Sequence, residues 1–128
     1  MLSEEDLVGV WRLTSHYYLN GDGSTDEGPL GAQANGLLIY DASGYISVSL
    51  MRADGSSGPD EPAVAYMGYS GRWQLATGVV VHEVEVSSHP RIVNTAQIRE
   101  VRVDHNGLTL RERIDETPRY FVLHWSPA

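Results

Sequence analysis

The residues best placed for chemistry lie between Val79 and Pro90, where an ionisable histidine and two glutamates are set among valines. Side chains of a β-strand alternate between its two faces, so His82 points away from Glu83 and Glu85. The side chains predicted to share its face are three valines, Val80, Val84 and Val86. An antiparallel sheet turns its apolar face inward, so we predict a histidine facing a core or cavity and two carboxylates facing water.

Arg99 is a second polar side chain that alternation turns inward. In a strand predicted over residues 95–103, it shares an otherwise apolar face with Gln97. Burying a guanidinium is costly unless it is paired or hydrogen-bonded. An inward Arg99 therefore requires a partner such as Glu112, Tyr69 or an oxygen atom of a ligand.

His82 and Arg99 are accordingly the candidate catalytic residues. A histidine ordinarily titrates near neutral pH, which suits His82 to proton transfer, and a guanidinium can stabilise developing negative charge. The alternative is that His82 is a hydrogen-bonded core histidine and that Arg99 lies at a barrel mouth. The sequence leaves both interpretations open.

Eight strands joined mostly by short turns are predicted to position these residues, preceded by one helical turn after Ser3. They cover residues 8–18, 36–40, 45–51, 66–75, 79–90, 95–103, 108–114 and 119–125. The glycine-rich residues 20–36 are expected to form an irregular loop. Closure removes the free edges of an antiparallel meander, so we predict one all-β domain, an eight-stranded antiparallel closed barrel, with a sandwich as the alternative.

The interior of such a barrel either fills with side chains or holds one small ligand. Gly71 and several wide aromatic rings are expected on its inner faces. The rings, which with Gln97 are the predicted ligand-binding residues, are Trp11, Tyr17, Tyr69, Trp73 and Trp125. Together they would line an apolar cavity.

Composition excludes several classes of chemistry. The chain has no cysteine and its nine basic residues are all arginines, which excludes thiolate ligands, cysteine nucleophiles and Schiff-base lysines. A net charge of −8 argues against binding to nucleic acid or to an anionic membrane. With an acidic N-terminus and only short apolar runs, the chain is expected to be a soluble, cytoplasmic protein.

Metal and cofactor sites are not expected either. Glu83 and Glu85 face away from His82, and the sequence has no His-Glu-x-x-His motif. The spacing of Asp22, Ser24 and Asp26 could hold a weakly bound calcium ion but is more typical of a solvated turn. We therefore predict no metal site and no cofactor.

Several segments, in order along nearly the whole chain, resemble the bacterial and fungal lipocalin-like domain family. They are Leu7-Val-Gly-Val-Trp-Arg-Leu, Gly36-Leu-Leu-Ile-Tyr, Gly44-Tyr-Ile-Ser-Val-Ser-Leu-Met-Arg, Tyr69-Ser-Gly-Arg-Trp, Val81-His-Glu-Val-Glu-Val-Ser with Pro90, Leu108-Thr-Leu and Trp125. The resemblance implies a lipocalin-like closed barrel with a central cavity. The connection between Arg52 and Tyr66 departs from the family pattern, being shorter and richer in glycine and proline.

Three functions follow from these expectations. In the first, the barrel binds a small, largely apolar organic molecule such as a natural-product intermediate. In the second, it is a cofactor-free cyclase or isomerase, an activity that the resemblance implies for some small barrels, acting by confinement with acid-base help from His82. In the third, the core is filled and the domain mediates interaction or dimerisation. A homodimer through an outer sheet face is a further expectation.

Overall fold

A computed structural model describes residues 2–53, 66–114 and 116–128, and these form one continuous antiparallel sheet. A single helical turn, α1 (Glu4–Leu7), precedes the strands, and a 3-10 turn (Pro90–Ile92) follows the sixth. The strands are β1 (Gly9–Leu19), β2 (Thr25–Glu27), β3 (Ala34–Tyr40), β4 (Tyr45–Arg52), β5 (Tyr66–Ala76), β6 (Val79–Ser87), β7 (Ala96–Asp104), β8 (Gly107–Arg113) and β9 (Tyr120–Pro127). The departure from the family pattern between Arg52 and Tyr66 falls mostly outside the described residues.

Pairing between the first and last strands closes the sheet. β1 pairs with β9 from Trp11↔Pro127 to Leu19↔Tyr120, and β3 to β9 pair with their sequence neighbours. Eight strands therefore form a closed barrel, as predicted, and the sandwich alternative is wrong. Among the described residues, closure leaves no long free edge that could pair with another chain.

β2 is an extra strand that the sequence did not predict. The prediction of an irregular loop over residues 20–36 is wrong for Thr25–Glu27, and β3 begins at Ala34, inside the same range. β3 pairs with β1 over Gly9 to Arg12, whereas β2 covers the same edge of β1 further along, over Tyr17 to Leu19. All three β2 side chains are exposed, so the strand has no apolar alternation by which a sequence could reveal it.

The two ends of the barrel differ. One end carries the tight turns that follow β3, β5 and β7, and it is covered by α1, whose Leu7 is fully buried. The indole N–H of Trp11 donates to the Leu7 carbonyl oxygen over 2.9 Å and fixes α1 there. The opposite end carries the longer connections, including residues 20–33 and 88–95. Access to the interior is therefore from the long-loop end.

Most of the aromatic rings predicted inside the barrel are buried there, with Tyr17 as the exception. The buried ones are Trp11, Tyr69, Trp73 and Trp125. The register between β1 and β9 shifts between Leu13 and Ser15, and a shift of one residue turns all later side chains to the other face. Tyr17 consequently lies opposite Val122 on the outer face, so its predicted inward position is wrong.

A second bulge lies in β6 at Glu85. Gly71 pairs with Val84, but the preceding Ser70 pairs with Val86, so Glu85 is the extra residue. Val86 is therefore turned outward and 61% exposed, contrary to the prediction that it shares the face of His82. Glu83 and Glu85 are exposed, as predicted.

Gly71 is required at this bulge because its neighbours leave no space for a side chain. A β-carbon there would overlap the backbone carbonyl oxygen of Glu83. We expect Gly71→Ala to lower the free energy of unfolding by about 2 kcal/mol, the usual cost of overpacking, measured as the midpoint of chemical denaturation. Gly68→Ala on the same strand is the control, since it meets only the flexible end of Tyr66, and it should cost much less. Equal losses would contradict this account of the bulge.

Candidate functional site

His82 lies at the centre of the candidate site, with only 1% of its surface exposed. It belongs to β6, where it pairs with Trp73 of β5 and Gln97 of β7. Both ring nitrogens have a tyrosine hydroxyl as partner. The oxygen of Tyr40, from β3, lies 2.7 Å from Nε2, and that of Tyr69, from β5, lies 2.6 Å from Nδ1. Three strands are thus joined through one imidazole ring.

Burial keeps this group of three side chains uncharged. It lowers the pKa of His82 to about 3, with a smaller contribution from the positive charge of Arg99. The same desolvation raises the pKa of Tyr69 to about 12 and that of Tyr40 well above its ordinary value. Near pH 7 the site therefore contains a neutral imidazole and two neutral phenols. His82 does not change charge near neutral pH, contrary to the expectation that favoured it for proton transfer.

Arg99 and Glu112 form an ion pair beside this group, on adjacent strands β7 and β8. The distance from Nη2 of Arg99 to Oε2 of Glu112 is 3.2 Å, and the Arg99 side chain is only 11% exposed. The same Nη2 donates to Oε1 of Gln97 over 3.3 Å. Arg99 therefore faces inward, and its acidic partner is Glu112, one of the three partners that the sequence left open.

A cavity of about 80 Å³ lies between these polar groups and the apolar wall opposite them. Its lining residues are Leu38, Val48, Leu50, Met67, Tyr69, His82, Arg99, Leu110, Glu112, Phe121, Leu123 and Trp125. Met67, Glu112 and Phe121 are partly exposed and belong to the long-loop end, so the cavity opens there. It is smaller than the roughly 300 Å³ at which drug-sized sites begin, and so admits only a small molecule or one end of a larger one.

The structure brings some of the predicted ligand-binding residues to the cavity and leaves others away from it. Tyr69 and Trp125 line it with His82 and Arg99. Trp11 and Trp73 lie in the packed closed end, where the Trp73 indole N–H donates to the Asp41 carbonyl oxygen over 3.0 Å. Gln97 does not line the cavity, but its Oε1 accepts a hydrogen bond from Arg99. Tyr17 lies on the outside of the barrel.

Tyr40 is the site residue that the sequence reasoning missed. It is 1% exposed, and its ring centroid lies 4.8 Å from that of Trp73. The available signal was parity, because Tyr40 alternates in phase with Leu38, which is buried in the core. A tyrosine in that phase must find a hydrogen-bond partner inside the barrel.

A larger recess, of about 360 Å³, lies on the outer face across β7, β8, β9 and β1. His124 lies within it, with Nε2 2.8 Å from the hydroxyl of Tyr17 and Nδ1 2.9 Å from that of Thr109. Arg111 in the same recess donates to Glu100 through Nε and Nη2. These polar groups are matched to one another, so size alone does not make this recess the better candidate.

In the described part of the chain, no three His, Asp or Glu side chains are close enough together to hold a metal ion. The acidic side chains of this loop make contacts within the protein. Asp22 accepts a hydrogen bond from the backbone N–H of Ser24, as in a turn, and Asp26 forms an ion pair with Arg119. None of the described helices is long and apolar enough to cross a membrane.

Comparison with known proteins gives one finding. The model of a family described as "Lipocalin-like domain" matches residues 8–125, a range that contains every residue lining the cavity. No curated protein and no solved structure matches the chain.

The buried His82 predicts a pH dependence of stability. The folded state disfavours its protonated form, so between about pH 6 and pH 3 the unfolded chain binds the additional proton. The contribution of His82 to the free energy of unfolding should therefore fall by up to about 1.4 kcal/mol per pH unit as the pH decreases from 6 to 5. Burial also lowers the pKa of His16 and of His124, so these residues add to the fall in the same direction. Denaturant titrations at each pH would measure this slope.

The matched controls are His82→Gln, which removes the titrating group, and His105→Gln, at an exposed turn. The slope between pH 6 and pH 5 should be smaller in His82→Gln than in the wild type and unchanged in His105→Gln. A wild-type slope in His82→Gln would show that another group carries the dependence.

Proposed function

This chain belongs to the lipocalin-like domain family, as its match over residues 8–125 shows, and on that premise we propose that it binds a small, largely apolar organic molecule beside His82. A lipocalin-like barrel is consistent with small-molecule binding. The observation that carries the proposal is the cavity itself, which is bounded by apolar side chains except on one wall. An apolar pocket with a few convergent polar groups is the usual form of a small-molecule site.

The size of the cavity determines how a ligand would sit. About 80 Å³ accommodates a few non-hydrogen atoms, so a small ligand would be enclosed, whereas a larger one would insert one end and leave through the opening beside Met67 and Phe121. Burial of apolar surface would contribute about 25 cal/mol per Å² to binding. Leu110, Leu123 and Val48 would provide most of that contact.

The charges of the site favour a neutral ligand. Arg99 and Glu112 balance each other, and His82 is neutral near pH 7. A charged ligand would be desolvated here without a free counter-ion, which is costly. The polar wall would instead orient a neutral ligand through hydrogen bonds.

A cofactor-free isomerase or cyclase acting in the same cavity is the second candidate function, and the chain from Tyr40 through His82 to Tyr69 is the observation that favours it. A neutral imidazole can accept a proton at one nitrogen while it releases one from the other. Tyr69 would donate a hydrogen bond to an oxygen on which negative charge develops. In this role His82 orients Tyr69. Glu112 is the carboxylate in the cavity wall that would act as the base.

The two remaining expectations are a completely filled core and a homodimer. The cavity beside His82 argues against the completely filled core required by the third hypothesis. Homodimerisation through an outer sheet face stays a prediction.

Filling the cavity should abolish binding. Leu110 lines the cavity and is buried, whereas Leu37 is exposed on the outer face. We expect Leu110→Phe to weaken the binding of cyclopentane at least tenfold and Leu37→Phe to leave it unchanged, measured by titration with ¹H–¹⁵N NMR. Thermal melting would confirm that both variants fold. Binding to wild type that Leu110→Phe does not alter would place the ligand elsewhere.

The enzyme candidate predicts proton transfer. Cyclopentanone incubated in D₂O should exchange its α-protons faster with the protein than with buffer alone, followed by ¹H NMR. Tyr69→Phe and Glu112→Gln should each remove the acceleration, whereas Glu83→Gln, outside the barrel, should not. Exchange at the buffer rate would contradict the catalytic hypothesis and leave the binding hypothesis standing.

A further inference from the structure

We propose that the cavity selects ligands carrying a neutral carbonyl oxygen, which accepts a hydrogen bond from the hydroxyl of Tyr69. This inference rests on the proposed function and adds the chemical class of the ligand. It comes from counting the donors and acceptors that surround the cavity.

The His82 ring cannot accept the hydroxyl protons of both of its tyrosine partners. A neutral imidazole has one N–H donor and one acceptor nitrogen, yet both nitrogens contact tyrosine hydroxyls. One tyrosine must therefore donate to the ring, and the other must accept from it. The hydroxyl proton of the accepting tyrosine is left for a different partner. No second hydrogen bond joins either hydroxyl to a described residue.

The surroundings of the two tyrosines decide which one accepts. Tyr40 is buried against Trp73 and does not line the cavity, so a leftover proton there would be enclosed without an acceptor. An unmatched buried polar group is unfavourable. Tyr69 lines the cavity, where a ligand can accept its proton. Tyr40 therefore donates to Nε2, His82 donates from Nδ1 to Tyr69, and Tyr69 directs its own O–H toward the cavity.

Trp125 lines the same cavity but does not offer its donor there. Its Nε1 has no hydrogen-bond partner among the described residues, yet that atom is itself buried rather than exposed to the cavity. The hydroxyl of Tyr69 is therefore the donor on which selection of a ligand depends.

The cavity wall does not supply an acceptor to the Tyr69 hydroxyl. Glu112 is the carboxylate that lines the cavity, but its Oε2 is paired with Arg99, and the Tyr69 hydroxyl makes its hydrogen bond to His82 instead. A ligand that completes the site must therefore bring an acceptor. A carbonyl oxygen is such an acceptor, and the uncharged form is the one that the balanced charges favour.

The tautomer of His82 is the first test. Long-range ¹H–¹⁵N spectra of protein labelled with ¹⁵N-histidine distinguish a protonated Nδ1 from a protonated Nε2. We expect protonation at Nδ1. Protonation at Nε2 would make Tyr69 the donor to the ring and would overturn the inference.

The second test compares ligands of the same shape. Cyclopentanone and methylenecyclopentane differ in whether they carry an acceptor oxygen, and each is titrated into wild type, Tyr69→Phe and the exposed control Tyr45→Phe. One hydrogen bond contributes about threefold to tenfold in affinity. The ketone should therefore bind more tightly to wild type, and Tyr69→Phe should lose that preference while binding the hydrocarbon unchanged.

The outcomes separate the two proposals. Tyr45→Phe should behave as wild type. Equal affinity for both compounds in wild type would overturn the carbonyl inference and leave the binding function intact. Failure of both compounds to bind would instead count against the proposed function.

Discussion

A neutral imidazole enclosed by two phenols is the constraint on which the interior of this barrel depends. An unmatched ring nitrogen at so buried a position would cost about 1 to 3 kcal/mol, so the hydroxyls of Tyr40 and Tyr69 must stay where they are. Holding them fixes β3, β5 and β6 relative to one another. Trp73 packs against Tyr40 and donates a hydrogen bond to the Asp41 carbonyl oxygen, so it connects this group to the turn at the closed end.

The polar groups divide the interior into two parts. Between His82 and the closed end, the barrel is filled by Trp11, Trp73 and their neighbours. On the other side of His82, a small cavity opens toward the long loops. The filled part provides stability, and the open part is where the proposed ligand would bind. The outer recess around His124 is larger, but its polar groups satisfy one another. The unmatched hydroxyl proton of Tyr69 beside the smaller cavity is therefore the stronger argument for binding.

Strand periodicity predicted the closed barrel and the inward His82 and Arg99, because side-chain parity is fixed wherever a strand is regular, but it left the partner of Arg99 open. It failed for Tyr17 and Val86, which follow bulges at which one additional residue reverses the faces. The bulge in β1 has no glycine opposite it on β9 to mark it, whereas the bulge in β6 lies opposite Gly71, and an isolated glycine within a strand often accompanies a bulge. β2 was missed because it is paired yet wholly exposed, and Tyr40 because its partner lies 42 positions further along the chain.

Closure through β1 and β9 also has a consequence for how the chain folds. The hydroxyl of Thr14 donates to the His124 carbonyl oxygen across 110 positions, so the contacts that seal the barrel are among the most distant in the sequence. During synthesis β1 must wait, with one edge unpaired, until β9 has left the ribosome. Such topologies fold slowly, and their open edges are prone to aggregation in the meantime. We therefore expect the nascent chain to be most vulnerable just before its last strand emerges.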